Sequence, residues 1–165
     1  MKFSKKQIKL LITLLKDPKK FLIVLFLFAF ACILNYDGGS HINAKVSRVI
    51  DGDTIEAKFE DEELKIRLFG IDAPESDQAY GKMATQFLNA IVLNKEVVLN
   101  VLAIMYLNDK DINQVMVKNG FAWAYEYYSD LYVNEQNYAK ENKKGLWVGE
   151  NPIEPYKWRK QIRLK

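Results

Sequence analysis

The sequence predicts an α+β domain dominated by β structure: an OB-like, five-stranded barrel with about three helices packed against it, preceded by an N-terminal hydrophobic segment. Three observations predict it. Short strand-like runs broken by turn residues fill residues 44–71, an apolar stripe at helical spacing follows over 80–93, and further strand-like and then helical stretches complete the chain. At 165 residues, 49% of them apolar, the chain accommodates one such domain and an appendage, but not a second domain.

The appendage comes first. Residues 1–20 form a basic segment with seven lysines and one aspartate, in which Ile8, Leu11, Ile12, Leu14 and Leu15 are spaced for a short amphipathic helix. That segment carries +6, and because the whole chain carries a formal +3, everything after it carries −3. A polyanion would therefore be held by a local positive site in the domain, not by a general cationic field. Phe21 to Leu34 is a run of fourteen uncharged apolar residues. At about 1.5 Å per residue it covers roughly 21 Å, short of the roughly 30 Å hydrocarbon core of a bilayer. Two readings of residues 21–36 stay open. One is a signal anchor that leaves the lysines in the cytoplasm and the domain outside. The other is a secretory signal peptide cleaved near Ala29-Phe30-Ala31, which would release the domain. Residues 37–43, with Asp37, Gly38, Gly39 and Ser40, read as a linker, and 44–165 as the domain. Cys32 is the sole cysteine, so the chain forms no internal disulfide. His41 falls in the linker and is assigned no role.

Within the domain, Ala44 to Ile50 and Thr54 to Phe59 are predicted strands joined at Asp51-Gly52, and Lys65 to Ile71 a third after Glu60-Asp-Glu-Glu. In the third, Leu64, Ile66 and Leu68 alternate with Lys65, Arg67 and Phe69, so Arg67 points away from the face that Leu68 buries. Tyr80 to Leu93 places Met83, Ala84, Phe87, Leu88 and Ile91 on one helical face. Val97 to Leu107 is anomalous: eleven residues with only Asn100 as a polar interruption and no Gly, Pro or Asp to turn the chain. Two antiparallel strands need a turn of about two residues between them, and none is evident here. Asp111 is an N-cap candidate for a short helix ended by Asn119-Gly120. Tyr132 to Lys144 is a further helix, stopped by Gly145, with Leu146 and Trp147 folding back on it. The stretch 151–165 ends basic, and Trp158-Arg159 is expected to pack on the domain.

Chemistry concentrates between Arg48 and Ser76. Asp51 and Asp53 flank Gly52 at one turn, while Asp72 and Glu75 bracket Pro74 after an apolar strand, with Arg67 nearby. If the strands pair, both acid clusters reach one end of the sheet. Hard oxygen donors gathered in that way suit Ca²⁺ or Mg²⁺, and a guanidinium beside them suits a phosphate.

The ordered motifs Val49-Ile-Asp-Gly-Asp-Thr, Ile66-Arg-Leu-Phe-Gly-Ile-Asp-Ala-Pro-Glu and Tyr80-Gly-Lys resemble the thermonuclease family, the micrococcal or staphylococcal nuclease-like domain. The resemblance runs from about Ala44 to Arg159 and takes in Gly120-Phe-Ala-Trp-Ala-Tyr, Gly145-Leu-Trp and Pro155-Tyr-Lys-Trp-Arg. It implies the same barrel and a Ca²⁺-dependent endonuclease that cuts DNA, and RNA as a further substrate, at the 5′ oxygen to leave 3′-phosphate ends. By the same resemblance Asp53 and Asp72 would ligate Ca²⁺ with the Ala73 carbonyl as a third donor, and Asp51 would lie behind them, orienting a ligand or a metal-bound water. Glu75 would be the general base, Arg67 would hold the phosphate, and Tyr125 and Tyr127 would contact the nucleotide, although core packing competes in that aromatic-rich segment.

The sequence departs from the family at Val101-Leu102, where a loop carrying an Asp-x-Tyr-Gly-Arg motif is absent. The family's second catalytic arginine has no counterpart there, and Arg48, Arg67, Arg159 and Arg163 are the only arginines in the chain, so none is expected to replace it. An arginine in phosphoryl transfer is worth on the order of 10³ to 10⁵ in rate, so a slow nuclease is expected. The alternative is a catalytically weak or inactive domain that binds nucleic acid on its barrel. A membrane-anchored scaffold for a protein partner is a third reading, resting on fold analogy alone. The partners expected are a DNA or RNA substrate and, through the N-terminal segment, the membrane. Nothing in the sequence points to a protein partner, and a monomer is expected.

Overall fold

The computed structural model describes residues 41–164. The basic segment (1–20), the signal anchor or signal peptide (21–36) and most of the linker (37–43) lie outside the described residues. Among the described residues no helix is long and apolar enough to cross a membrane.

Strand β1 (Ile42–Val49) alternates as the sequence predicts, burying Ala44 and Val46 and exposing Lys45 and Ser47. It pairs antiparallel with β2 (Thr54–Phe59) through a bulge between Val46 and Arg48. A two-residue turn at Glu60-Asp61, with Glu60 at φ 54°, returns the chain as β3 (Glu62–Arg67), paired from Phe59↔Glu62 to Thr54↔Arg67. The third strand thus starts and stops earlier than expected. Gly70 explains the stop: at φ +75° it turns the chain out of the ladder, and a Cβ there would press on the Tyr132 ring at 3.1 Å. Beyond it β4 (Ile71–Asp72) pairs with β8 (Trp123–Ala124) in a ladder of its own.

Helix α1 (Gly81–Val92) buries Ala84, Leu88 and Val92; of the expected stripe Phe87 and Ile91 are half-buried, and Met83 is exposed, which corrects its expected place in the core. The apolar run after it does form two antiparallel strands, β5 (Glu96–Leu99) and β6 (Met105–Leu107). This corrects the expectation that no turn was available. The Asn100 side chain builds it, its Oδ1 accepting from the backbone N–H of Leu102 at 3.0 Å and of Ile104 at 2.9 Å, with Ala103 at φ +57°. Strand β7 (Lys110–Asp111) completes a six-stranded sheet ordered β3-β2-β1-β5-β6-β7. Asp111 caps α2 (Ile112–Lys118) as predicted, its Oδ1 accepting from Gln114 N–H at 2.9 Å. Helix α3 (Val133–Glu141) and a 3₁₀ turn (Gly145–Val148) follow, with Leu146 buried. The basic C-terminal stretch forms a fourth helix, α4 (Pro155–Arg163), begun by a proline whose fixed φ suits the first turn.

The class is the expected mainly-β α+β fold of OB-like form; among the described residues the main sheet has six strands where five were expected, and there are four helices where about three were expected. Ile55, Leu68, Ile71, Leu88, Met105, Ile112 and Met116 fill the space between sheet and helices, each worth about 1.5–3 kcal/mol of burial.

Candidate active site

Four backbone features bring the acid clusters together. The β1–β2 loop is closed by Ile50 N–H donating to the Thr54 carbonyl at 2.9 Å, and the end of β3 is pinned to it by Leu68 N–H donating to the Asp53 carbonyl at 2.7 Å. Gly52 sits so close to Ala73 and Ala84 that a Cβ would lie 2.7 and 2.8 Å from their Cβ atoms. A side chain there would push the loop off the Asp72-Ala73 segment. Gly81 plays the same part for Glu75, whose carbonyl a Cβ at position 81 would overlap.

Asp53 and Asp72 are each only 2% exposed. Asp53 Oδ2 accepts from Ala73 N–H at 2.7 Å, and Oδ1 from the Thr54 hydroxyl at 3.0 Å. Asp51 Oδ1 accepts from Asp53 N–H at 3.0 Å, so Asp51 orients the Asp53 backbone. Arg67 spans the two buried acids, Nη1 on Asp53 Oδ1 at 2.9 Å and Nη2 on Asp72 Oδ1 at 2.7 Å. It does not pair with Glu60 or Asp61 on the strand surface. Buried carboxylates are costly unless paired, and the guanidinium fork supplies the pairing.

Arg159 was missed by sequence reasoning as a site residue. From α4 its Nη1 donates to Asp72 Oδ1 at 3.0 Å and to Glu75 Oε1 at 2.7 Å, and its Nη2 to Asp72 Oδ2 at 2.9 Å. The expectation that no other arginine reaches the site is therefore corrected: α4 folds back across the domain and delivers one. Hydrogen bonding to Asp72, opposed by burial, raises the Arg159 pKa still further, so the group is a permanent cation. Gln78 was missed too. Its Oε1 accepts from Glu75 N–H at 3.2 Å, and its own N–H donates to the Glu75 carbonyl at 2.9 Å, fixing the turn that presents the Glu75 carboxylate.

Burial pushes the Asp53 carboxyl up to about 7. Arg67 opposes that shift, while the Asp51 and Asp72 carboxylates reinforce it. Among the described residues no three His, Cys, Asp or Glu side chains gather as a metal group. The expected donor set is two carboxylates and the Ala73 carbonyl, however, and one guanidinium already bridges both carboxylates. Two carboxylates within reach of a single cation are hard oxygen donors of the kind Ca²⁺ takes.

Beside Asp72 opens a groove of about 660 Å³ lined by Trp123, Tyr125, Tyr127, Tyr128, Tyr156 and Lys140, among others. The aromatic segment divides. Tyr127 is 81% exposed at the groove and forms a three-ring cluster with Tyr125 and Tyr128, with ring centroids 6.3 Å apart for Tyr125 and Tyr127 and 5.0 Å apart for the other two pairs. Tyr132 is buried, donating its hydroxyl to Asp111 at 2.9 Å. Burial and the Asp72 charge raise the Tyr125 pKa, which keeps its hydroxyl a donor.

Comparison with known proteins fits this geometry. The family model described as staphylococcal nuclease homologue matches residues 65–149. A protein named an uncharacterized endonuclease from Escherichia coli is 36% identical over 149 residues, covering 83% of this chain and 94% of its own length. Another of that name from Haemophilus influenzae is 38% identical over 132 residues, 73% of this chain and 74% of its own. A micrococcal nuclease from Shigella flexneri is 32% identical over 155 residues, 80% of this chain and 88% of its own.

Proposed function

Because the chain belongs to the staphylococcal nuclease homologue family, we propose that it is a Ca²⁺-dependent endonuclease hydrolysing phosphodiester bonds in DNA, with RNA as a further substrate. The observation that carries this reading is the convergence of Arg67, Asp53, Asp72 and Glu75 at one sheet end beside an aromatic groove. Asp53, Asp72 and the Ala73 carbonyl would hold the ion. Bound there, Ca²⁺ would supply Lewis-acid polarisation of the phosphate and a water of lowered pKa.

The chain's own residues do the rest. Glu75, set by Gln78 at the edge of the cluster and about one-third exposed, takes the proton from the attacking water. Arg67 is half-exposed, so an incoming phosphate can exchange for a carboxylate on its planar fork. It then stabilises the charge that grows on the non-bridging oxygens in the transition state. Tyr125 and Tyr127 offer faces on which the flanking bases stack. Attack in line with the 5′ oxygen leaves a 3′-phosphate end. For location, our proposal is that residues 21–36 anchor the domain on the extracytoplasmic side, with secretion after cleavage as the alternative.

A weak or inactive nucleic-acid-binding domain is the second reading, favoured by the absent loop at Val101-Leu102. Cleavage of single-stranded and duplex DNA by the full-length protein, with Ca²⁺ or with chelator, separates the two. Ca²⁺-dependent cutting that disappears in Asp53→Ala and in Glu75→Gln supports the nuclease. A folded wild-type protein that binds DNA without cutting it supports the second reading.

A further inference from the structure

The β5–β6 turn lies against the site without contributing an arginine. Phe69 N–H donates to the Ala103 carbonyl at 3.1 Å, and Asn113 Nδ2 donates to the Phe69 carbonyl at 2.9 Å, so the turn abuts the segment between Arg67 and Asp72. Its tip, Val101 and Leu102, is exposed and carries no charge. The cation that Val101-Leu102 lacks arrives from the chain's other end. Helix α4 is tied down by Trp158 Nε1 donating to Asp77 Oδ1 at 3.2 Å, and the segment leading into it by Gln78 Nε2 donating to the Ile153 carbonyl at 2.6 Å. Directly after the Trp158 anchor Arg159 reaches the acids, and it meets Arg67 on one atom: Asp72 Oδ1 accepts from Arg159 at 3.0 Å and from Arg67 at 2.7 Å.

We propose that Arg159 is the second phosphate-binding arginine of this enzyme, a catalytic residue supplied by the C-terminal helix in place of the missing loop. The inference rests on the nuclease reading given above. Two guanidinia sharing one carboxylate oxygen are already placed to share one phosphate. Arg159 is also 28% exposed, which leaves it within reach of an entering phosphate oxygen.

In the step it serves, the water oxygen bonds to phosphorus and the bond from phosphorus to the 5′ oxygen breaks. The water proton passes to Glu75, and the departing alkoxide takes a proton from solvent. Arg159 transfers no atom. It neutralises charge on the non-bridging oxygens as the five-coordinate state forms. Before substrate enters, the same guanidinium holds Glu75 and Asp72 in place, so phosphate binding exchanges one set of anionic partners for another.

The test is single-turnover cleavage of an oligonucleotide with one scissile linkage by full-length wild type, Arg159→Ala and Arg159→Lys. Each enzyme is run on the all-oxygen linkage and on both stereopure phosphorothioates, with folding checked by circular dichroism and thermal melting. We expect Arg159→Ala to lose on the order of 10³ in rate on the oxygen substrate, with lysine recovering a small part. We also expect a clearly smaller loss on one phosphorothioate, because sulfur has already weakened the contact that arginine makes. A purely structural role would not distinguish the two diastereomers. Losses of equal size on all three linkages would overturn the proposal, as would an Arg159→Ala rate within about threefold of wild type. If wild type itself does not cut, the nuclease reading fails and takes this role with it; an active wild type beside an equally active Arg159→Ala sinks this inference alone.

Discussion

Gln78 Nε2 donates to the carbonyl of Ile153 at 2.6 Å, across 75 residues of chain. The same buried amide accepts from Glu75 N–H. One side chain therefore sets both the turn that presents Glu75 and the segment that leads into α4, and through α4 the position of Arg159. Replacing it by alanine leaves the Ile153 carbonyl and the Glu75 N–H, both part-buried in these bonds, without that partner, at about 1 kcal/mol each. We expect Gln78→Ala to melt lower and to cut DNA on the order of 10- to 100-fold more slowly under conditions where it is fully folded, because both site residues drift. A rate equal to wild type would show that Gln78 supports only stability.

The pH dependence of stability in chelator reports on Asp53. Its folded carboxyl titrates at about 7, above the ordinary 3.8, so between those values the folded chain keeps a proton that the unfolded chain has released. This contribution is full below about 3.8 and is lost as pH rises towards about 7. Denaturant midpoints of wild type should therefore fall over that window relative to Asp53→Asn, which cannot titrate. Parallel curves for the two proteins would refute the raised carboxyl.

Exposed Tyr127 can be removed without loosening the fold. Tyr127→Ala should unfold within about 0.5 kcal/mol of wild type. Base stacking is worth about 1–3 kcal/mol per base, so KM for single-stranded DNA should rise roughly 5- to 100-fold with kcat little changed. Tyr132→Phe should do the reverse, losing stability with its hydrogen bond to Asp111 and leaving KM alone. An unaltered KM in Tyr127→Ala would remove that ring from the substrate path.

Asn100 carries the turn between β5 and β6 through two bonds to its side-chain oxygen. Asn100→Ala should cost about 1–3 kcal/mol in urea unfolding, while Asn100→Asp, which keeps the acceptor, should stay close to wild type. Equal losses in both would mean that the backbone makes the turn unaided.

The acid cluster was legible in the sequence because its members are local to turns. Asp51-Gly-Asp53 and Asp72-Ala-Pro-Glu75 sit where strands end, and pairing those strands leaves little choice about where the carboxylates meet. Most of the α1 stripe and the Asp111 cap were legible for the same reason: period and turn chemistry act over a few residues. The helix expected to run to Gly145 instead ends at Glu141, and Gly145 opens the 3₁₀ turn that follows. The β5–β6 turn was misread because an asparagine side chain can imitate a backbone turn, and one polar residue in an apolar run does not announce that.

By itself the sequence determined the mainly-β class, the order of its elements and the acids and arginine that β2, β3 and their loops bring together. Only the tertiary structure decided which tyrosines face the groove, that Gln78 ties Glu75 to the C-terminal arm, and that Arg159 reaches Asp72 and Glu75. Those contacts join residues 75 to 87 positions apart. They depend on how α4 crosses the finished domain, and neither periodicity nor turn chemistry carries information over that distance.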